Sequence, residues 1–152
     1  AGGKLPRVNY DSLLRRGDVL YLSIHADPAT DFPYFLGFAD ETGAGAGTGA
    51  THNCPLPRGC PPAAWFAAFE EATVRLKQFA PDALVVSLGV DTAASDPLSH
   101  FQLETPDFER LGTSLAALGL PTTIIFEGGY EVARIGGDVV TVLRAFDARR
   151  EA

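Results

Sequence analysis

Three short stretches carry side chains suited to chemistry: HADPATDFP, GVDTAASDP and EGGYEV. The first offers the imidazole of His25, the second the carboxylate of Asp91, and the third the phenol of Tyr130. A carboxylate is a hard oxygen ligand for a cation or a base, and a phenol donates a hydrogen bond. Gly128 and Gly129 stand just before Tyr130, where glycine lets the backbone approach a ligand closely. Together these groups describe a hydrolytic or metal site. Each also has an ordinary structural role open to it: Asp91 as a helix cap, His25 as a hydrogen-bonded loop residue, Tyr130 as an amphipathic rim residue.

Each stretch follows an apolar run that reads as a strand. DVLYLSI at 18–24 is β-rich and reads as buried on both faces, and residues 83–88 and 121–126 read as the second and third strands. Residues 61–79 read as a helix that opens on prolines, with Trp65, Phe66, Phe69, Val74, Leu76 and Phe79 as its apolar positions. Thr105 is placed to cap a helix over 105–118, with Pro106 and Asp107 in its first turn and Gly119 at its end. The last helix spans 135–146, with Val139, Val140, Val142, Leu143 and Phe146 as core candidates. The opening AGGKLPRVNY and the long connection HADPATDFPYFLGFADETGAGAGTGA read as loop. Alternating strands and helices imply a parallel sheet covered on both faces. Ligands bind beyond the carboxyl ends of such strands, so the three loops are expected to converge on one site.

Composition bounds the function. The chain has 152 residues, 46% apolar and 20% charged, enough for one compact domain with its own core. A formal net charge of -7 argues against nucleic acid as a partner, because phosphates need a basic footprint. No apolar run approaches the roughly 18 residues of a membrane span, and no signal peptide pattern opens the chain. Cys54 and Cys60, six apart in CPLPRGC, read as free thiols in a reducing cytoplasm. Gly45, Gly47 and Ala50 fit the G-x-G-x-x-A pattern of a phosphate cradle. That reading is set aside, since no strand precedes them and THNCPLP, which follows, cannot open a helix.

Taken together, SIHADPATDFPYFLGFADETGAGAG, SLGVDTAASDPLSHFQLE and EGGY resemble the zinc-dependent histone deacetylase superfamily, and within it the bacterial acetylpolyamine amidohydrolases. The resemblance spans about residues 13–147, with three motifs in the family's order. It implies an arginase/deacetylase-like α/β fold, a three-layer α/β/α arrangement around a parallel sheet. By the same resemblance Asp91 is a zinc ligand, Tyr130 the catalytic phenol, and Phe32 the aromatic wall of a substrate tunnel. Gly128 and Gly129 border the substrate, and Asp96 braces the loop. The Ser23 hydroxyl and the Ile24 carbonyl match ligands of a structural monovalent cation, K+ or Na+. The implied reaction is zinc-assisted removal of acetyl groups from acetylated polyamines or acetyl-lysine-like amines, with an acidic rim favouring cationic polyamines. The lack of a signal pattern points to the cytoplasm, and the apolar edge strand and uncovered helix faces expected of a half-domain point to a homo-oligomer.

The resemblance also sets an expectation about extent. In the family, a D-x-H pair of zinc ligands and a pair of catalytic histidines precede the SIH strand. An ungapped count puts D-x-H at residues 2–4, where this sequence reads GGK. Residues 1–12 therefore read as an unmatched leader and 13–152 as the carboxyl-terminal half of a deacetylase-like domain. On that reading one zinc ligand of about three is present. The alternative function is a catalytically inactive deacetylase fragment that serves as a binding or oligomerisation module.

Overall fold

The structure, a computed structural model, describes residues 13–32 and 34–150. It divides into two compact units. The leader expected at 1–12 lies outside the described residues.

The first unit runs to Arg58 and includes Trp65–Phe79. Its strands β1 (Tyr21–Ala26) and β2 (Thr51–Leu56) pair in parallel, from Tyr21 opposite Thr51 to Ala26 opposite Leu56. Strand β1 lies slightly later than the expected 18–24. It is also half-buried along its length rather than buried on both faces. Among the described residues β2 is its one ladder partner, so the sheet here is too narrow to enclose it. Strand β2 is an element the sequence reading did not assign. His52 and Asn53 are polar and Pro55 lacks a backbone donor, so THNCPL carries little strand signal. The ladder to β1 decides its conformation.

Helix α1 (Pro62–Phe79) begins on a proline, whose missing N–H is not needed in a first turn. Trp65, Phe66, Ala68, Ala72 and Leu76 form its buried stripe, and the Trp65 ring stacks on Phe69 with centroids 5.9 Å apart. Val74, expected in that stripe, is exposed. It lies two residues from both Ala72 and Leu76, about 200° round the helix from each, on the opposite face.

The second unit holds Gly59–Ala64 and everything from Ala80 onward. Strands β3 (Leu84–Leu88) and β4 (Thr122–Phe126) pair in parallel, Leu84 opposite Thr122 through Leu88 opposite Phe126. Helix α2 (Thr105–Ala116) joins them and packs on α3 (Ile135–Arg150). The N-cap of α2 is Glu104 rather than Thr105. Asp107 Oδ2 accepts the Glu104 backbone N–H at 2.9 Å, satisfying a donor that the Thr105 cap reading left open. Between the helices the core is Phe108, Leu111, Leu115, Val142 and Phe146, all buried. Val140 and Leu143, expected in this core, are exposed, because Val142 and Phe146 already occupy the inward face at i and i+4.

Candidate functional site

Asp91 is positioned by the parallel ladder of β3 and β4. Beyond the strands the pairing continues: Glu127 N–H donates to Leu88 O at 3.0 Å and Val90 N–H to Gly128 O at 2.8 Å. This draws the loop after β3 and the loop after β4 together at the carboxyl ends of both strands. The Asp91 carboxylate then lies directly on glycine backbone. A Cβ added at Gly128 would stand 2.6 Å from Asp91 Oδ2, and one at Gly89 2.6 Å from Oδ1. Any other residue at either place would push the carboxylate away.

Burial is the main reason the Asp91 carboxyl is held above the ordinary carboxylate range, with the charges of Asp96 and Glu127 adding to it. A half-buried carboxylate facing two like charges is electrostatically uncomfortable. A bound cation relieves that discomfort.

Asp96 turns out to organise the site. It is buried, and its Oδ1 accepts the backbone N–H groups of Leu98 at 2.9 Å and Ser99 at 3.2 Å. Its Oδ2 accepts the Tyr130 N–H at 2.8 Å. One carboxylate thus folds its own loop and fixes the residue that carries the phenol. The Tyr130 side chain is itself exposed, on a turn where a Cβ at Gly129 would meet Val90 Cγ2 at 2.8 Å. The structure therefore brings Asp91, Asp96, Gly128, Gly129 and Tyr130 together. The link from Asp96 to Tyr130, 34 positions apart, leaves no trace in local sequence pattern.

Ser23, Ile24 and Phe32 belong to the first unit. Ser23 Oγ lies 2.8 Å from His25 Nδ1, and His25 Nε2 lies 2.7 Å from Gly37 O. A carbonyl only accepts, so Nε2 carries the proton and the Ser23 hydroxyl donates to Nδ1. This neutral form agrees with burial, which holds the His25 pKa below its usual value. His25 is thereby the hydrogen-bonded structural residue of the two roles open to it. With its proton directed at His25, Ser23 Oγ keeps lone pairs for a cation. Phe32 is exposed, in a loop pinned by its neighbour Asp31: buried Asp31 accepts from Arg58 Nε at 2.7 Å and Nη2 at 3.3 Å. Sequence reasoning missed that bidentate pair, since no local pattern couples positions 31 and 58.

A catalytic zinc takes about three protein ligands. Among the described residues Asp91 fits one such position. Both oxygens of Asp96 are committed to backbone donors, and no described His, Cys, Asp or Glu joins Asp91 in a three-ligand group.

Residues 9–146 match the model of the histone deacetylase domain. The chain belongs to the histone deacetylase family. Acetylpolyamine amidohydrolase 1 of Pseudomonas aeruginosa is 53% identical over 137 residues, which are 90% of this chain and 40% of that protein. Acetylpolyamine amidohydrolase of Mycoplana ramosa is 48% identical over 134 residues, 88% of this chain and 39% of its own length. The crystal structure of the acetylpolyamine aminohydrolase from Burkholderia pseudomallei superposes with a TM-score of 0.88 at 44% identity, covering 90% of this chain and 40% of that one. The fold is the arginase/deacetylase-like α/β fold that the motifs implied. This chain spans about 40% of the length of these histone deacetylase relatives. Among the described residues no helix is long and apolar enough to cross a membrane.

Proposed function

We propose that this chain carries the Asp91 and Tyr130 part of an amidohydrolase site that removes acetyl groups from acetylated polyamines. The observation that carries this reading is the joined pair of strand-end loops. They seat the Asp91 carboxylate on Gly89 and Gly128 while Asp96 fixes Tyr130 through its backbone. Similarity to acetylpolyamine amidohydrolases over nine-tenths of the chain supports it.

In this reading Asp91 is one ligand of a zinc ion. The chemistry such an ion supplies is polarisation of the acyl carbonyl and activation of a water. Tyr130 supplies a hydrogen bond to the carbonyl oxygen that strengthens as that oxygen gains charge. Its exposure leaves the phenol accessible to a substrate. Phe32 keeps the tunnel-wall role, Gly128 and Gly129 the substrate-bordering role, and Ser23 with the Ile24 carbonyl the structural K+ or Na+ role that the family resemblance gives them. The surplus of acidic groups favours a cationic amine. The domain is the carboxyl-terminal half of the family fold, in a cytoplasmic protein.

A second reading, a binding or oligomerisation module on the same fold, is favoured by one feature. Val85 and Ile125 project from the same face of the β3–β4 pair and are exposed at 66% and 51%. We assign that face to a second copy of the chain.

Acetate release from an acetylated diamine separates the two readings. The assay uses this chain with zinc, together with the remaining portion of the Pseudomonas aeruginosa relative supplied as a second polypeptide. Hydrolysis that depends on this chain and disappears in Asp91→Ala is expected. A mixture that stays inactive, with this chain bound to the second polypeptide, would leave the module reading.

A further inference from the structure

Away from the strand-end loops, the first unit contains a second convergence of ligating side chains. Strand β2 alternates its side chains between faces, so His52 and Cys54 share one face while Asn53 takes the other. Glu71 reaches the same point from α1. His52 Nε2 lies 3.1 Å from Glu71 Oε1 and 3.2 Å from Cys54 Sγ, and all three donor atoms fall within 4.8 Å of one another.

We propose that His52 Nε2, Cys54 Sγ and Glu71 Oε1 form a zinc site of their own, with a fourth position open to water. The geometry suits the ion. Bonds of about 2.3 Å to sulfur and about 2.0 Å to nitrogen or oxygen, at a tetrahedral angle, separate ligand atoms by roughly 3.5 Å. The spacings of 3.1 and 3.2 Å lie a few tenths of an ångström below that value and the third pair falls within 4.8 Å, so small side-chain shifts complete the site.

The proton inventory supports it as well. One nitrogen, His52 Nε2, faces both a carboxylate and a thiol. The carboxylate calls for an N–H donor there, and that N–H reaches the Cys54 sulfur only as a second, weaker acceptor, so Nε2 does not take up the thiol proton. A cation on Nε2, with the ring proton on Nδ1, satisfies all three groups. Cys54 is buried. Binding breaks the Sγ–H bond, forms a sulfur–zinc bond and releases one proton to solvent, with no change of oxidation state. Arg75 Nη2, 3.7 Å from Glu71 Oε1, is the competing partner that zinc displaces.

The site is distinct from Asp91, which lies in the other unit, and it does not depend on the proposed amidohydrolase activity. The test is zinc binding by the whole chain, measured by competition with a chromophoric chelator. Cobalt substitution, read as thiolate-to-cobalt charge-transfer absorption, accompanies it. We expect one zinc per chain, a charge-transfer band, and unchanged affinity in Asp91→Ala. Cys54→Ser should abolish the band, and Glu71→Gln, on an exposed helix face, should weaken binding at least ~10-fold. No bound zinc, zinc without a thiolate band, affinity unmoved by Glu71→Gln, or zinc lost in Asp91→Ala would each overturn the assignment.

Discussion

Replacing Asp96 by asparagine tests how Tyr130 is held. The carboxylate accepts on both oxygens: Leu98 and Ser99 on Oδ1, Tyr130 on Oδ2. Asparagine has the same shape but one oxygen and one amide nitrogen, so it can accept on one side only. The favourable flip keeps the oxygen toward Leu98 and Ser99, where it retains two bonds. The NH2 group then faces the Tyr130 N–H, donor against donor. The lost bond is to a charged acceptor in a buried setting, worth about 1.5–3 kcal/mol. Removing the Asp96 charge also eases Asp91, which works in the opposite direction, so the lower end, about 1.5 kcal/mol, is the expected net loss. Urea unfolding gives this number, and hydrogen exchange locates it: the Tyr130 amide should exchange faster while those of Leu98 and Ser99 keep their protection. A loss below about 0.5 kcal/mol, within the range of an ordinary surface substitution, or an unchanged Tyr130 amide, would refute this role for Asp96.

Gly112→Ala should cost about 1–3 kcal/mol in urea unfolding, because its Cβ would stand 2.2 Å from Val142 O and 2.9 Å from Ala145 Cβ between α2 and α3. Gly128→Ala would place a Cβ 2.6 Å from Asp91 Oδ2, against an ordinary contact of about 3.4 Å, so the carboxylate must shift by close to the ~1 Å that costs ~10²-fold in turnover. Acetate release by the reconstituted mixture measures it, and an effect of only a few-fold would show that Asp91 is not tied to this geometry. The chain alone should sediment as a dimer or larger species, and Val85→Lys with Ile125→Lys should return it to a monomer; a parent that is already monomeric contradicts the self-association proposal.

The α/β class, α1, β3, β4 and the last two helices were legible because their apolar periodicity and turn residues agree with the final packing. Strand β2 was not, since THNCPL owes its conformation to β1 rather than to its own residues. Helix faces were misjudged where apolar residues outnumber inward positions: Val74, Val140 and Leu143 are exposed because alanines and a few large side chains fill the interior first. The placement of Asp91, Gly128, Gly129 and Tyr130 beyond strand ends was legible because the apolar runs before them mark those strands, and open α/β folds place ligands there. The backbone clasp by Asp96, the Asp31–Arg58 lock and the grouping of His52, Cys54 and Glu71 join distant positions, and spacing along the chain does not encode them.

The central claim is that Tyr130 acts on the transition state while Phe32 acts on the bound substrate. The direct measurement is kcat and KM for an acetylated diamine in the reconstituted enzyme, comparing Tyr130→Phe with Phe32→Ala. Loss of one preorganised oxyanion donor should lower kcat by ~10²–10³ with little change in KM. Phe32→Ala should raise KM and leave kcat nearly intact, since its wall contacts substrate and transition state alike. A Tyr130→Phe enzyme whose kcat stays within a few-fold of the parent would contradict the account.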